Sequence, residues 1–285
     1  MKDRMEFYRK LRILKFPMRC NNNCIICDDF GEPDNQPREF GWYKEEIDYL
    51  ASKNKHIFLY GGEPFLDPNI FKILEYLAKT DVTFMISTNC RPLSQKSLAK
   101  KLRGLRLTMV VTTLFSHKEN THDFLTGTPG SHSETVAGIR NLLDEKIPVT
   151  VNIVLTSKNL GDLLGTVDFL STLGVKNIKI SGLVKLGKMD RRQDLVPDFE
   201  STRKEIGKAL QFAEGKDLSL VFEKLPACAA KKDSNFFYEP HHKKRMMMCP
   251  SGTEKCNGCG MAEKCMCFDL EKEQGNAGHA QAKPA

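Results

Sequence analysis

Three cysteines, Cys20, Cys24 and Cys27, fall within eight residues in the polar stretch Cys20-Asn21-Asn22-Asn23-Cys24-Ile25-Ile26-Cys27. Thiolates are soft ligands, and three this close together can fold around one metal centre. Two centres suit the spacing. A [4Fe-4S] cube has four irons that each ordinarily take one cysteine, so three local cysteines leave one iron open, as catalysis at a metal requires. A structural zinc ion would use the same three, with Cys90 or a histidine as the fourth ligand. The chain carries ten cysteines, and its first residues, Met1-Lys2-Asp3-Arg4-Met5-Glu6, mix charges without an apolar signal core. A cytoplasmic location is therefore expected, where thiols stay reduced and serve as ligands rather than in disulfides.

A second candidate is Gly61-Gly62-Glu63-Pro64. Glycines let the backbone approach something closely, and Glu63 offers a carboxylate; a plain strand-to-helix turn is the alternative reading. A third is the run Cys256-x2-Cys259-x5-Cys265, flanked by Cys228, Cys249 and Cys267. It suits either a zinc knot or a further iron–sulfur cluster.

The elements that must position these groups are legible in the hydrophobic pattern. β-rich runs at residues 11–16, 56–60, 82–88, 105–113, 148–155 and 175–183 alternate with amphipathic helical stretches, and a further run at 218–222 extends or closes the set. Ile70, Phe71, Leu74, Leu77 and Ala78 form one apolar stripe, with Asp67 as the expected N-cap and Pro68 at the first helical position. Leu160, Leu163, Leu164, Val167 and Leu170 form another, stopped by Gly174. Ser94 and Asp198 are further expected N-caps. Strand–helix repetition of this kind implies an α/β fold with a parallel sheet, either doubly wound or an open barrel. In a parallel barrel the strand C-termini gather on one rim, so the cysteine loop and the Gly61–Pro64 turn, which end successive strands, should face each other there.

Together these features resemble the radical S-adenosylmethionine enzymes. Cys20, Cys24 and Cys27 match that family's Cys-x3-Cys-x2-Cys signature, and Gly61, Gly62, Glu63 and Pro64 match its Gly-Gly-Glu-Pro motif. The segment from His122 to Gly127 is similar to a family stretch that precedes a helix. The resemblance covers about residues 11–225. It implies a partial (β/α)6 TIM-type barrel with a small Cys-rich C-terminal extension: a core over residues 1–225, the extension over 226–270 and a disordered tail over 271–285.

The resemblance also implies a reaction. The open iron of the [4Fe-4S] cluster binds S-adenosylmethionine, and reductive cleavage yields a 5'-deoxyadenosyl radical that takes a hydrogen atom from substrate. The cofactor would lie against Gly61, Gly62, Glu63 and Pro64, with Ser87, Asn89, Thr112 and Asn152 as polar contacts near later strand ends. Ile26 stands where the family usually has an aromatic residue beside the adenine. The C-terminal cysteines resemble part of a SPASM or twitch extension. Six cysteines fall short of its seven, so the expectation is one auxiliary [4Fe-4S] cluster on Cys228, Cys256, Cys259 and Cys265, with Cys249 and Cys267 as competitors. Such extensions accompany peptide maturation, so a peptide is the first expected substrate and a small metabolite or cofactor precursor the second. A flavodoxin or ferredoxin-type protein is the expected electron donor.

Composition excludes some classes. No apolar run approaches the roughly 18 residues of a membrane span. A net charge of +7, from 43 basic against 36 acidic residues, suits an anionic ligand without arguing for nucleic acid. A reading from another class remains, a non-catalytic zinc-binding adaptor, which metal content separates from the enzyme.

Overall fold

The computed structural model describes residues 12–28, 36–53, 55–184, 186–230 and 235–237. Eight strands form one parallel sheet whose spatial order is their chain order: β1 (Arg12–Lys15), β2 (His56–Tyr60), β3 (Thr83–Ser87), β4 (Leu107–Thr113), β5 (Val149–Val154), β6 (Asn177–Ser181), β7 (Ser219–Glu223) and β8 (Asn235–Phe237). β1 pairs with β2 and β8 with β7, so the sheet is an open arc, the open barrel of the two arrangements that the alternation allows and the one that the resemblance implies. Each expected strand is present, trimmed by a residue or two where pairing stops. β8 lies in the segment expected to begin the extension, where the only β signal is the pair Phe236-Phe237.

The helices are α1 (Phe40–Lys53), α2 (Ile70–Ala78), α3 (Lys96–Lys100), α4 (Glu119–Thr126), α5 (Ser131–Asp144), α6 (Leu163–Thr172) and α7 (Phe199–Ala213). The α2 stripe buries Ile70, Ile73, Leu74 and Leu77, and α6 buries Leu163, Val167 and Leu170 against the sheet. Asp198 caps α7 by accepting from Ser201 N at 2.8 Å. Two expected caps differ. Asp67 stands two residues early, where its Oδ1 accepts from Asn69 N at 2.8 Å; Asn69 occupies the cap position, and Pro68, expected at the first helical position, lies before α2, which begins at Ile70. Ser94 ends a 3-10 turn, Pro92–Ser94, and makes no capping bond; Gln95 precedes α3 instead. Pro92 at the start of that turn fixes a tight local geometry before α3 can begin.

Period-2 alternation sorts each strand into two faces. Leu14, Ile57, Leu59, Val110, Val151, Ile153, Ile178 and Ile180 face the helices in the main core. The register aligns the opposite face across the arc: Ser87 with Val111, Val111 with Thr150, Thr113 with Asn152, Asn152 with Lys179, and Ser181 with Glu223. This inner face is polar from β5 to β7. A second, smaller apolar cluster of Ile26, Phe115, Leu125, Leu183, Met189 and Leu195 lies where the loops meet.

Candidate active site

The loop bearing the three cysteines leaves β1 and is moulded by backbone from other strand units. Phe16 N donates to Tyr60 O at 2.7 Å, Gly62 N to Pro17 O at 3.3 Å and Glu63 N to Arg19 O at 2.7 Å. The Gly61–Pro64 turn therefore props the chain directly before Cys20. Further on, Asn23 N donates to Thr126 O at 2.9 Å and Ile25 N to Leu125 O at 3.0 Å, which gives the His122–Gly127 segment its part in the site. Lys188 N closes the far end on Cys27 O at 3.0 Å.

Three glycines permit this closeness. A Cβ on Gly62 would stand 2.3 Å from Arg19 O, one on Gly127 2.5 Å from Asn23 O, and one on Gly187 2.4 Å from Cys27 O. Gly61 is likewise closed in by Phe16 O, at 2.5 Å from such a carbon. The plain-turn reading of Gly61-Gly62 does not account for contacts of this kind.

Glu63 joins the turn to the cysteines. It is 2% exposed, and its carboxylate accepts from Phe65 N at 3.0 Å, Thr88 Oγ1 at 2.8 Å and Asn89 N at 2.7 Å. Asn89 in turn donates through Nδ2 to Asn21 Oδ1 at 2.6 Å and to Cys20 Sγ at 3.7 Å. Burial pushes Glu63 up to about 7, against the pull of the Asn89, Phe65 and Thr88 hydrogen bonds and the Arg91 charge. Burial thus leaves this carboxyl favouring a proton, and a neighbouring positive charge would favour its ionised form. Pro64 sets the first position of the 3-10 turn Pro64–Leu66 that Glu63 caps.

Cys20, Cys24 and Cys27 take part in no disulfide. Burial pushes the Cys24 thiol up to about 12, and the neighbouring Cys20 and Cys27 push the same way while Lys188 opposes them. Ionising three adjacent sulfurs is thus unfavourable without a cationic centre, and metal binding must displace their protons. Among the described residues no three His, Cys, Asp or Glu side chains close round a single ion. Cys90, which with a histidine was a candidate for the fourth ligand of the zinc alternative, is wholly buried in the main core.

The other expected contacts divide. Ser87 and Asn152 lie on the inner face, and Asn89 lies at the rim. Ile26, 8% exposed, packs into the smaller apolar cluster and offers an aliphatic wall where an aromatic one was usual. Thr112 is a correction. Strand alternation places it with Val110 on the helix side, 1% exposed beside Cys90, while Thr113 shares the face of Asn152. Cys228 sits in the 3-10 turn Ala227–Ala229. Cys249, Cys256, Cys259, Cys265 and Cys267, and the expected tail, lie outside the described residues.

Sequence reasoning missed two groups. Arg91 reaches back to Asn21 and Asn22, a link across about seventy residues with no local signal. On the inner face, Lys179 Nζ pairs with Glu223 Oε2 at 2.7 Å, and Ser181 Oγ bridges Asn152 Oδ1 at 2.7 Å to Glu223 Oε2 at 3.2 Å. Burial pushes Glu223 up, but Lys179, Lys224 and Ser181 together hold it below the ordinary range. Polar residues at period 2 on a buried strand were the available signal.

Comparison with known proteins agrees with this geometry. AdoMet-dependent heme synthase of Methanosarcina barkeri is 29% identical over 185 residues, 64% of this chain and 53% of that protein. The antilisterial bacteriocin subtilosin biosynthesis protein AlbA of Bacillus subtilis is 27% identical over 195 residues, 65% of this chain and 42% of that one. The chain thus spans about half the length, or less, of these relatives. The crystal structure of Streptococcus suis SuiB bound to S-adenosylmethionine shares the fold, with a TM-score of 0.62 at 15% identity over 74% of this chain and 49% of that one. SuiB has also been solved with its precursor peptide SuiA. Residues 14–170 match the Radical SAM superfamily, a family whose enzymes use a [4Fe-4S] cluster and S-adenosylmethionine. As that match takes in more than half of the 285 residues, together with both the cysteine loop and the turn that props it, this chain belongs to the radical SAM superfamily of enzymes.

Proposed function

We propose that this enzyme modifies a peptide by hydrogen-atom abstraction, using Cys20, Cys24 and Cys27 to hold the cluster at which S-adenosylmethionine is cleaved. Bound there, the cluster and S-adenosylmethionine supply a 5'-deoxyadenosyl radical after one electron arrives from a flavodoxin or ferredoxin-type donor. The observation that carries the reading is the hydrogen-bonded path from Glu63 through Asn89 to Cys20 Sγ, which ties a buried carboxylate to a metal ligand.

The chain's own residues position and shield. The three thiols give up their protons on ligation. Glu63 gives up its proton to face an ammonium group, and its three donors keep the carboxylate oriented. Ser87, Thr113 and Asn152 offer hydrogen bonds from the inner face. Ile26, Phe115 and Leu125 form an apolar wall that keeps water from the reacting carbon.

A peptide substrate is supported by the likeness to AlbA, a bacteriocin biosynthesis protein, and by the shared fold with SuiB, which has been seen with a precursor peptide. A small cofactor precursor is the second reading, supported by the likeness to a heme synthase. We further propose an auxiliary cluster on Cys228, Cys256, Cys259 and Cys265.

Anaerobic reconstitution with iron and sulfide, followed by dithionite and S-adenosylmethionine, tests the core reading. The wild type should release 5'-deoxyadenosine, and the triple Cys20, Cys24, Cys27→Ala variant none. A colourless wild type holding stoichiometric zinc would sink the proposal and favour the adaptor.

A further inference from the structure

The stretch between Cys20 and Cys24 is three asparagines, so no apolar side chain anchors it and hydrogen bonds must hold its shape. Arg91, which follows β3 two strands along the arc, supplies them. One guanidinium nitrogen, Nη1, donates both to the carbonyl of Asn21 and to Asn22 Oδ1, the latter at 2.8 Å. The other side of the fork is tethered to α5, Nε to Glu134 Oε2 at 2.6 Å. The Arg91 side chain is 13% exposed and that of Glu134 47%, so solvent screens the carboxylate more than the guanidinium, and the Arg91 charge favours the ionised Cys20 thiol while Glu63 opposes it.

The backbone aims this side chain. Cys90, just before it, has a left-handed φ of 63°, and its carbonyl lies against α5 at Gly138, where a Cβ would stand 2.1 Å away. Asn89 Oδ1 accepts from Arg91 N at 2.9 Å, and Thr135 Oγ1 of α5 donates to Asn89 O at 3.0 Å. The residue that touches Glu63 and Cys20 and the residue that grips Asn21 and Asn22 are therefore fixed by the same helix.

We infer that Arg91 is a positioning residue, which holds the segment between the first two cysteines in its cluster-bearing shape and keeps a permanent positive charge beside the sulfurs. The inference rests on the proposed function for its second half alone. Arginine suits the task because its planar fork reaches two acceptors at once and does not lose its proton. Charge and hydrogen bonds around the sulfurs set the reduction potential of such a cluster, so Arg91 should ease the arrival of the electron.

Two variants test it, Arg91→Met and Arg91→Lys. In the cluster-free protein, hydrogen exchange read by mass spectrometry should show the peptide spanning residues 20–24 exchanging about tenfold faster in the Met variant, the factor for losing one charge-assisted hydrogen bond. Peptides from β5 and β6 should be unchanged, which reports that the variant is folded. In the reconstituted protein the Met variant should release iron faster to a chelator, and its midpoint potential in an electron paramagnetic resonance titration should move to a more negative value. The Lys variant keeps the charge without the fork, so it should restore the potential and leave the loop exchanging fast. Wild-type exchange and wild-type potential in a folded Met or Lys variant would overturn the role of Arg91 and leave the proposed function standing. A wild type that takes up no iron or sulfide overturns the proposed function and the charge role together, while the exchange comparison still decides whether Arg91 grips the loop.

Discussion

Glu63 and His122 are both buried and titratable, and they make the protein respond to pH in opposite directions. Glu63 is raised from its ordinary 4.5 to about 7 by burial. Between those limits the folded chain keeps a proton that the unfolded chain has lost, so Glu63 removes stability as pH rises from 4.5 to 7, at about 1.4 kcal/mol per pH unit. Glu63→Gln in the cluster-free protein should abolish that loss, read by urea unfolding at pH 5 and 8, and in the reconstituted protein the same variant should abolish the spectral response of the cluster to S-adenosylmethionine. His122 is 1% exposed, with Nδ1 accepting from Phe115 N at 3.2 Å. Burial, aided by His132, lowers it to about 3. A neutral His122 thus contributes its full stability above about 6.5, and that contribution is lost as pH falls from there towards 3. In a Glu63→Gln background, which removes the opposing titration, urea midpoints at pH 7, 5 and 4 should decline, and decline less when His122→Gln is added. Glu63 was legible in the sequence from its neighbours Gly61, Gly62 and Pro64. His122 was legible only as part of a stretch, because its burial comes from Phe115 and His132, which the fold brings to it.

Strands and helices were legible because apolar periodicity is local, and so is the Asp198 cap. Features that depend on register or on distant contacts were not. Thr112 and Thr113 are equivalent in sequence, and only the pairing of Thr113 with Asn152 shows which one looks inward. Ser94 has the chemistry of an N-cap, but the Pro92 turn places it one residue too early. Gly127 shows how an element boundary serves the site. It ends α4 with a left-handed φ of 61°, and it leaves room for Asn23 O. Gly127→Ala should therefore cost about 1–3 kcal/mol in thermal or urea unfolding, and should lower iron retention more than an Ala substitution at Gly104, which has open space about its α-carbon.

Across the whole molecule, the sheet follows chain order, so every β–α unit packs beside the next and all the strand C-termini reach one rim. This is why motifs about forty residues apart meet. Alternation alone reached a parallel sheet, either doubly wound or an open barrel, because it records the order of the elements and not the side on which each helix packs. The sheet continues to β8, past the point where the periodic pattern fades; three residues of strand are too few to show a period. If the proposed auxiliary cluster forms, the wild type should hold about eight irons per chain and the Cys20, Cys24, Cys27→Ala variant about four, since each cube carries four. Loss of all iron in that variant, with the fold retained by circular dichroism, would count against a second cluster.

The three glycines that face the cysteine loop touch it at Arg19, Asn23 and Cys27, each at or directly before a cysteine. They come from three different strand units, and each fills its missing side-chain volume with a loop carbonyl. The cysteine spacing is consequently measured by the scaffold as well as by the metal. Between these contacts the path of the loop is fixed at both ends, so one residue more or fewer would put a carbonyl where no gap exists. The barrel acts as a ruler for its own ligands, and the length of this segment is set before any metal arrives.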